Sequence, residues 1–101
     1  MARIVILGAA ESGVGAAVLA QKKGFDVFVS DMGKIKPQYV ELLDKHGISW
    51  ESERHTENLI LDADEVIKSP GIPDTAPMVV KLKGLGVPII SEIEFAARYT
   101  Q

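Results

Sequence analysis

Three short stretches and two lone histidines carry the residue types that can do chemistry. The first stretch is G-A-A-E-S-G-V-G, residues 8–15, which follows the apolar run Ile4–Leu7 and precedes an alanine-rich segment. A strand, a glycine turn and a helix in that order make an anion site. Glycine lets backbone N–H groups approach the ligand, and the helix N-terminus favours negative charge. The dinucleotide fingerprint asks for glycine at its first, third and sixth places. Gly8 and Gly13 meet it, and Ala10 occupies the middle place, where one methyl group hinders close approach without abolishing it. Ser12 brings a hydroxyl to the helix start, suited to capping it or to bonding a phosphate. Glu11 would repel a phosphate if turned inward, so its side chain is expected to point outward or to meet an uncharged part of the ligand. The plainer reading of the stretch is a strand-to-helix turn that needs glycine for geometry alone.

Asp31 is the second candidate. It ends an apolar stretch 18 residues after Gly13, where an acid in a nucleotide site accepts from ribose hydroxyls or from a pyrimidine N–H. A solvated acid capping a turn is the bland alternative. The third stretch is Ser69-Pro70-Gly71, with Pro73 close behind. Proline fixes its own φ and pushes the residue before it toward extended geometry. That would aim the Ser69 hydroxyl and the Gly71 N–H at a ligand, although serine, proline and glycine also make plain turns. His46 and His55 stand alone. No spacing of His, Asp and Glu matches a metal site, and no serine–histidine–acid order suggests nucleophilic catalysis. The pattern G-x-x-x-x-G-K-[ST] is absent, so ATP binding by a P-loop is not expected of these residues.

The elements that must position these groups follow from the apolar pattern. Ile4–Leu7 is continuous, as in a strand buried on both faces of a parallel sheet. Val14, Ala17 and Val18 share a helical face that Gly24 ends. Phe25–Ser30 reads as a second strand. Pro37 suits a first helical turn, with Val40 and Leu43 inward and Gly47 as the stop. Residues 48–50 suggest a short third strand, and 59–61 a brief helix. Residues 51–58 carry no clear period. Glu65–Lys68 forms a fourth strand. A helix starts near Pro77, with Val79 and Leu82 inward and Gly86 as its stop, and 87–90 form a fifth strand. Ser91 and Glu94 make a capping box for a last helix through Ala96 and Ala97. Alternating strands and helices imply a Rossmann-like, doubly wound α/β fold with a mostly parallel five-stranded sheet in the order 3-2-1-4-5. Ligands on such a sheet sit where the winding reverses, at the carboxyl ends of the strands. That gathers the 8–15 turn, Asp31 and the 69–71 loop around one crevice.

A chain of 101 residues argues for a single domain, 1–101. A net charge of −3 with scattered Lys and Arg argues against a nucleic-acid or membrane surface. The lack of cysteine excludes disulfides and thiolate metal sites and agrees with a reducing cytoplasm. No apolar stretch approaches the length of a bilayer span.

Taken together, V-I-L-G-A-A-E-S-G-V-G with the strand-end Asp31, V-I-K-S-P-G-I-P and P-I-I-S-E-I-E-F-A-A-R resemble the N-terminal domain of the Mur ligase family, in its D-glutamate-adding branch. The resemblance covers nearly the whole chain. It implies a domain that binds the UDP part of UDP-N-acetylmuramoyl-L-alanine in peptidoglycan synthesis, with the central ATPase domain and the C-terminal domain absent from this chain. It further implies that ATP and Mg belong to the parent enzyme, that this fragment carries no cofactor and no catalytic residue, and that its partners are the substrate and those two domains. By position, Glu11, Ser12 and Gly13 would lie beside the uridine and pyrophosphate, Asp31 and Met32 would flank the uracil, and Ser69, Pro70 and Gly71 would contact the diphosphate. Glu11, Met32 and Gly33 depart from what many relatives carry. Two rivals remain at this point: an NAD(P)-binding domain of an oxidoreductase, and a non-catalytic ligand-sensing Rossmann module.

Overall fold

The computed structural model describes residues 2–100. Five strands alternate with five helices: β1 (Arg3–Leu7), α1 (Glu11–Lys22), β2 (Asp26–Asp31), α2 (Pro37–Lys45), β3 (Ser49–Ser52), α3 (Glu57–Ile60), β4 (Glu65–Lys68), α4 (Pro77–Gly84), β5 (Ile89–Ser91) and α5 (Glu92–Ala97). They form one sheet in the order β3-β2-β1-β4-β5. All four strand pairs are parallel, in agreement with the expected topology.

The central strand explains the architecture. Ile4, Val5, Ile6 and Leu7 are wholly buried, with even-numbered side chains on one face and odd-numbered ones on the other. Each buried aliphatic side chain contributes roughly 1.5–3 kcal/mol. Ile4 and Ile6 pack with α1, α2 and α5 through Val14, Ala17, Leu43 and Phe95. Val5 and Leu7 pack with α3 and α4 through Ile60, Val79 and Leu82. The face of α1 turned to the sheet is made of small residues, with Gly13, Ala16, Ala17 and Ala20 joining Val14, and Val18 lies half-buried at its margin. Small side chains let the helix lie close to the sheet, which sets how near its first turn comes to the strand ends.

The boundaries differ from the sequence expectation mainly on the outer strands. The third strand begins one residue later and runs to Ser52, because Glu51, a polar residue, is the one buried in it. The fifth strand is shifted to Ile89–Ser91. Ser91 then caps α5 through the expected capping box, accepting from the Glu94 N–H. Phe95 anchors α5 edge-on to Phe25 and Tyr99, with ring centroids 6.2 and 5.3 Å away.

Candidate functional site

The carboxyl ends of β1, β2 and β4 converge on the glycine turn. Gly8 has φ +99°, and a Cβ placed on it would lie 2.7 Å from the Ser69 Cβ. Turn and loop are therefore pressed together, backbone against side chain, and only glycine fits. Gly13 is needed for a different reason. A Cβ there would stand 2.0 Å from the Gly8 carbonyl oxygen, so glycine lets α1 start directly over the end of β1. Gly15 faces open space and carries no such demand.

The start of α1 offers donors. Its N-cap is Ala10, which provides no side-chain hydrogen bond, so the first-turn N–H groups lack the partner that serine or aspartate would give. Ser12 lies inside the first turn rather than at the cap, and its Oγ donates to Glu92 Oε1 at 3.0 Å. Its one proton is thus committed within the chain. Glu92 is buried, and its other oxygen has no partner among the described residues. The Glu11 side chain is exposed.

Asp31 holds the turn in place. Its Oδ2 accepts from the Ala9 N–H and its Oδ1 from the Gly33 N–H, both at 2.8 Å. The Gly8 N–H donates to the Ser30 carbonyl at 2.9 Å, so the turn is tied to the end of β2 at two successive residues. Met32 is 61% exposed.

On the β4 side, the Ser69 N–H donates to the Leu7 carbonyl and the Ile72 N–H to the Ser69 carbonyl. Ser69 Oγ accepts only a long 3.4 Å bond from the Gly71 N–H, which leaves its own proton free among the described residues. Lys68 Nζ donates to the Ile72 carbonyl at 2.6 Å and so holds the loop closed. Pro70 and Gly71 are exposed at the rim.

Beyond Asp31 the crevice opens into a pocket of about 510 Å3 whose walls include Met32, His55, Gly71, Ile72 and Met78. No lysine or arginine lines it. A larger hollow, about 670 Å3, lies beside α2 and β3 and touches neither the glycine turn nor the 69–71 loop. Among the described residues, no group of three His, Asp or Glu is placed to hold a metal ion.

One part of the site has no counterpart in the sequence reading. Glu51 is 5% exposed. It accepts from Ser30 Oγ at 2.8 Å, from the Thr56 N–H at 2.7 Å and from Thr56 Oγ1. Burial pushes the Glu51 carboxyl up, but the bonds from Thr56 and Ser30 outweigh it, with help from Arg54, and hold it below the usual carboxylate range. His55 Nδ1 lies 2.6 Å from Ser30 Oγ. Burial holds its imidazole below the usual value, against the pull of Glu51 and Asp31.

A family model described as the MurD N-terminal domain matches residues 3–78. Curated relatives called UDP-N-acetylmuramoylalanine--D-glutamate ligase include one from Bacteroides thetaiotaomicron, 69% identical over 99% of this chain. Others come from Porphyromonas gingivalis, 62% identical over 96% of it, and Cytophaga hutchinsonii, 47% identical over 96%. The chain spans 22% of the length of each. Among solved structures, UDP-N-acetylmuramate-alanine ligase MurC from Thermotoga maritima matches with a TM-score of 0.79 and 25% identity, over 95% of this chain and 22% of that one. The Neisseria UDP-N-acetylmuramate:L-alanyl-gamma-D-glutamyl-meso-diaminopimelate ligase gives 0.81 and 25%, over 97% and 31%. The backbone is thus shared by ligases with different names, and the high sequence identities fall on the D-glutamate ligases.

Proposed function

The chain belongs to the MurD N-terminal domain family, and from that premise we propose that its crevice receives the UDP end of UDP-N-acetylmuramoyl-L-alanine. It would do so as the first domain of a longer cytoplasmic ligase that adds D-glutamate to this substrate with ATP in peptidoglycan synthesis, and so serves cell shape and division. The observation that carries the reading is the contact between Gly8 and Ser69. It puts the uncapped first turn of α1 and the free Ser69 hydroxyl on one crevice. Backbone N–H groups at a helix N-terminus hold phosphate without a basic side chain. The diphosphate would lie over Glu11–Gly13 and against Ser69–Gly71, with the base directed past Asp31 and Met32.

ATP and Mg would act in a central domain beyond this chain, since no P-loop lysine is present here. The bond-forming groups would likewise come from there and from a C-terminal domain. This chain's share is to fix the far end of the substrate, where binding energy from a remote group is spent on orienting the reacting carboxylate. Calorimetric competition tests the proposal. UDP-N-acetylmuramoyl-L-alanine and UDP should displace one another, and NADH should displace neither. Preference for NADH would favour the oxidoreductase reading instead.

A further inference from the structure

Glu92 is an acid buried beside the turn that is to hold an anion. It opens α5, directly after the capping residue Ser91, and is 9% exposed. Its Oε1 accepts from Ser12 Oγ at 3.0 Å, and its Oε2 has no partner among the described residues. A Cβ on Gly13 would stand 3.3 Å from Oε2, so the carboxylate lies against the first turn of α1. The capping box and the wholly buried Phe95 fix α5, and with it the direction from which Glu92 approaches. The groove around it includes Ala16, Leu19, Pro70 and Phe95 but no lysine or arginine. Ser12 is thus the one hydrogen-bond donor to the Glu92 side chain among the described residues. A hydroxyl has a single proton. With that proton given to Glu92, Ser12 Oγ presents only lone pairs to the crevice, and phosphate oxygens present lone pairs too. To donate to a diphosphate, Ser12 must leave Glu92, and stripping a buried acceptor of its only partner is costly.

We propose that Glu92 is a positioning residue that withholds the Ser12 hydroxyl from the diphosphate, and so sets the domain's hold on the nucleotide below what the turn could otherwise give. This rests on the UDP reading above and divides the labour within it. The backbone N–H groups of α1 and the free Ser69 hydroxyl donate to the diphosphate, and Ser12 does not. Such restraint suits a handle. The UDP end is the same in the substrate and the product of the proposed ligation, so binding it tightly would hold back product as much as substrate. Product release limits the turnover of many enzymes.

The experiment is a double-mutant cycle read by calorimetry, with UDP and, as a ligand without phosphate, uridine. Glu92→Ala removes the acceptor. Glu92→Asp retracts the carboxylate by one methylene from Ser12 while keeping an acid at the start of α5. Each is measured with and without Ser12→Ala. Both Glu92 variants should bind UDP more tightly than the wild type, Glu92→Ala by about tenfold, the worth of one hydrogen bond to a charged group. Uridine affinity should not follow. The loss of UDP affinity on Ser12→Ala should be about tenfold greater in the Glu92→Ala protein than in the wild type. A gain of equal size with Ser12 or Ala at position 12 would mean that only the charge of Glu92 acts, and overturns the proposal. So does weaker UDP binding by both Glu92 variants, which would make Glu92 a support of the turn. A tenfold loss on Ser12→Ala with Glu92 in place shows that Ser12 already donates to the diphosphate, and overturns it without any change at position 92. In each of these cases the UDP reading stands. If UDP binds neither the wild type nor any variant, the UDP reading falls and the proposal with it.

Discussion

The two ends of the crevice are built by different means. At the glycine-turn end the work is done by backbone: Gly8 and Gly13 are glycine because a Cβ would collide, and the peptide N–H groups at the start of α1 have no side-chain cap. At the His55 end it is done by side chains, with Thr56, Glu51, Ser30 and His55 bonded in that order. A backbone-built site is local in sequence and intolerant of added atoms. A side-chain-built site is assembled from distant residues and tolerates changes in size, but not changes in hydrogen-bonding pattern. The contrast implies that steric substitutions damage the first end and isosteric polar substitutions damage the second.

Gly13→Ala is the severest way to break the comparison. The new methyl must clear a carbonyl oxygen 2.0 Å away, so α1 has to move off the sheet. Overpacking of this kind costs about 3 kcal/mol or more, and urea denaturation should show it. A neutral result would mean that the turn is looser than described. Next comes Glu51→Gln, which keeps the shape but replaces one acceptor oxygen by a donor facing Ser30 or Thr56. Hydrogen bonds to a charged group are worth about 1.5–3 kcal/mol each, so a loss in that range is expected by the same measurement, and no loss would remove Glu51 as the hub.

The same residues predict a pH dependence. Glu51 titrates lower folded than unfolded. Its contribution is present above the ordinary glutamate pKa of 4.5 and is lost as pH falls through the folded value. His55 also titrates lower when folded, from an ordinary value of 6.5, so the unfolded chain takes up its proton first and stability declines as pH drops below that value. Both effects act in one direction. Thermal midpoints should fall from neutral pH into acid, and His55→Gln should flatten the upper part of that fall. A midpoint that rises on acidification would contradict the network. The smallest effect is expected at Gly15→Ala. Nothing stands within 4 Å of the added methyl, and replacing a helix-interior glycine gains about 0.5–1 kcal/mol. A loss there would show that Gly15 has a demand of its own.

The same division decides how much the sequence disclosed. The glycine-turn end is read from neighbours in the chain: an apolar run, two glycines at a fixed spacing, and a serine-proline-glycine loop after a later strand. The sheet order also follows from strictly alternating elements, and the S-x-x-E box marks α5. The His55 end is hidden because its partners are far apart. Ser30 and Glu51 meet only through the parallel register of β2 with β3, in which they are directly paired, and residues 51–58 look like an aperiodic polar loop until that pairing is known. One signal was present, a serine directly after the apolar run Val27–Val29 of β2. Ser12 illustrates the same limit. Its position suits a cap or a phosphate ligand, but its hydroxyl is claimed by Glu92, a residue 80 positions away.

The most direct test of the central claim maps backbone amide shifts on titration with UDP. Binding of the diphosphate between turn and loop predicts the largest changes at residues 9–13 and 69–72, with smaller ones at Met32 and His55, and no comparable response to NADH. Saturable changes confined to the 670 Å3 hollow beside α2 and β3, or absent from both the turn and the loop, would contradict it.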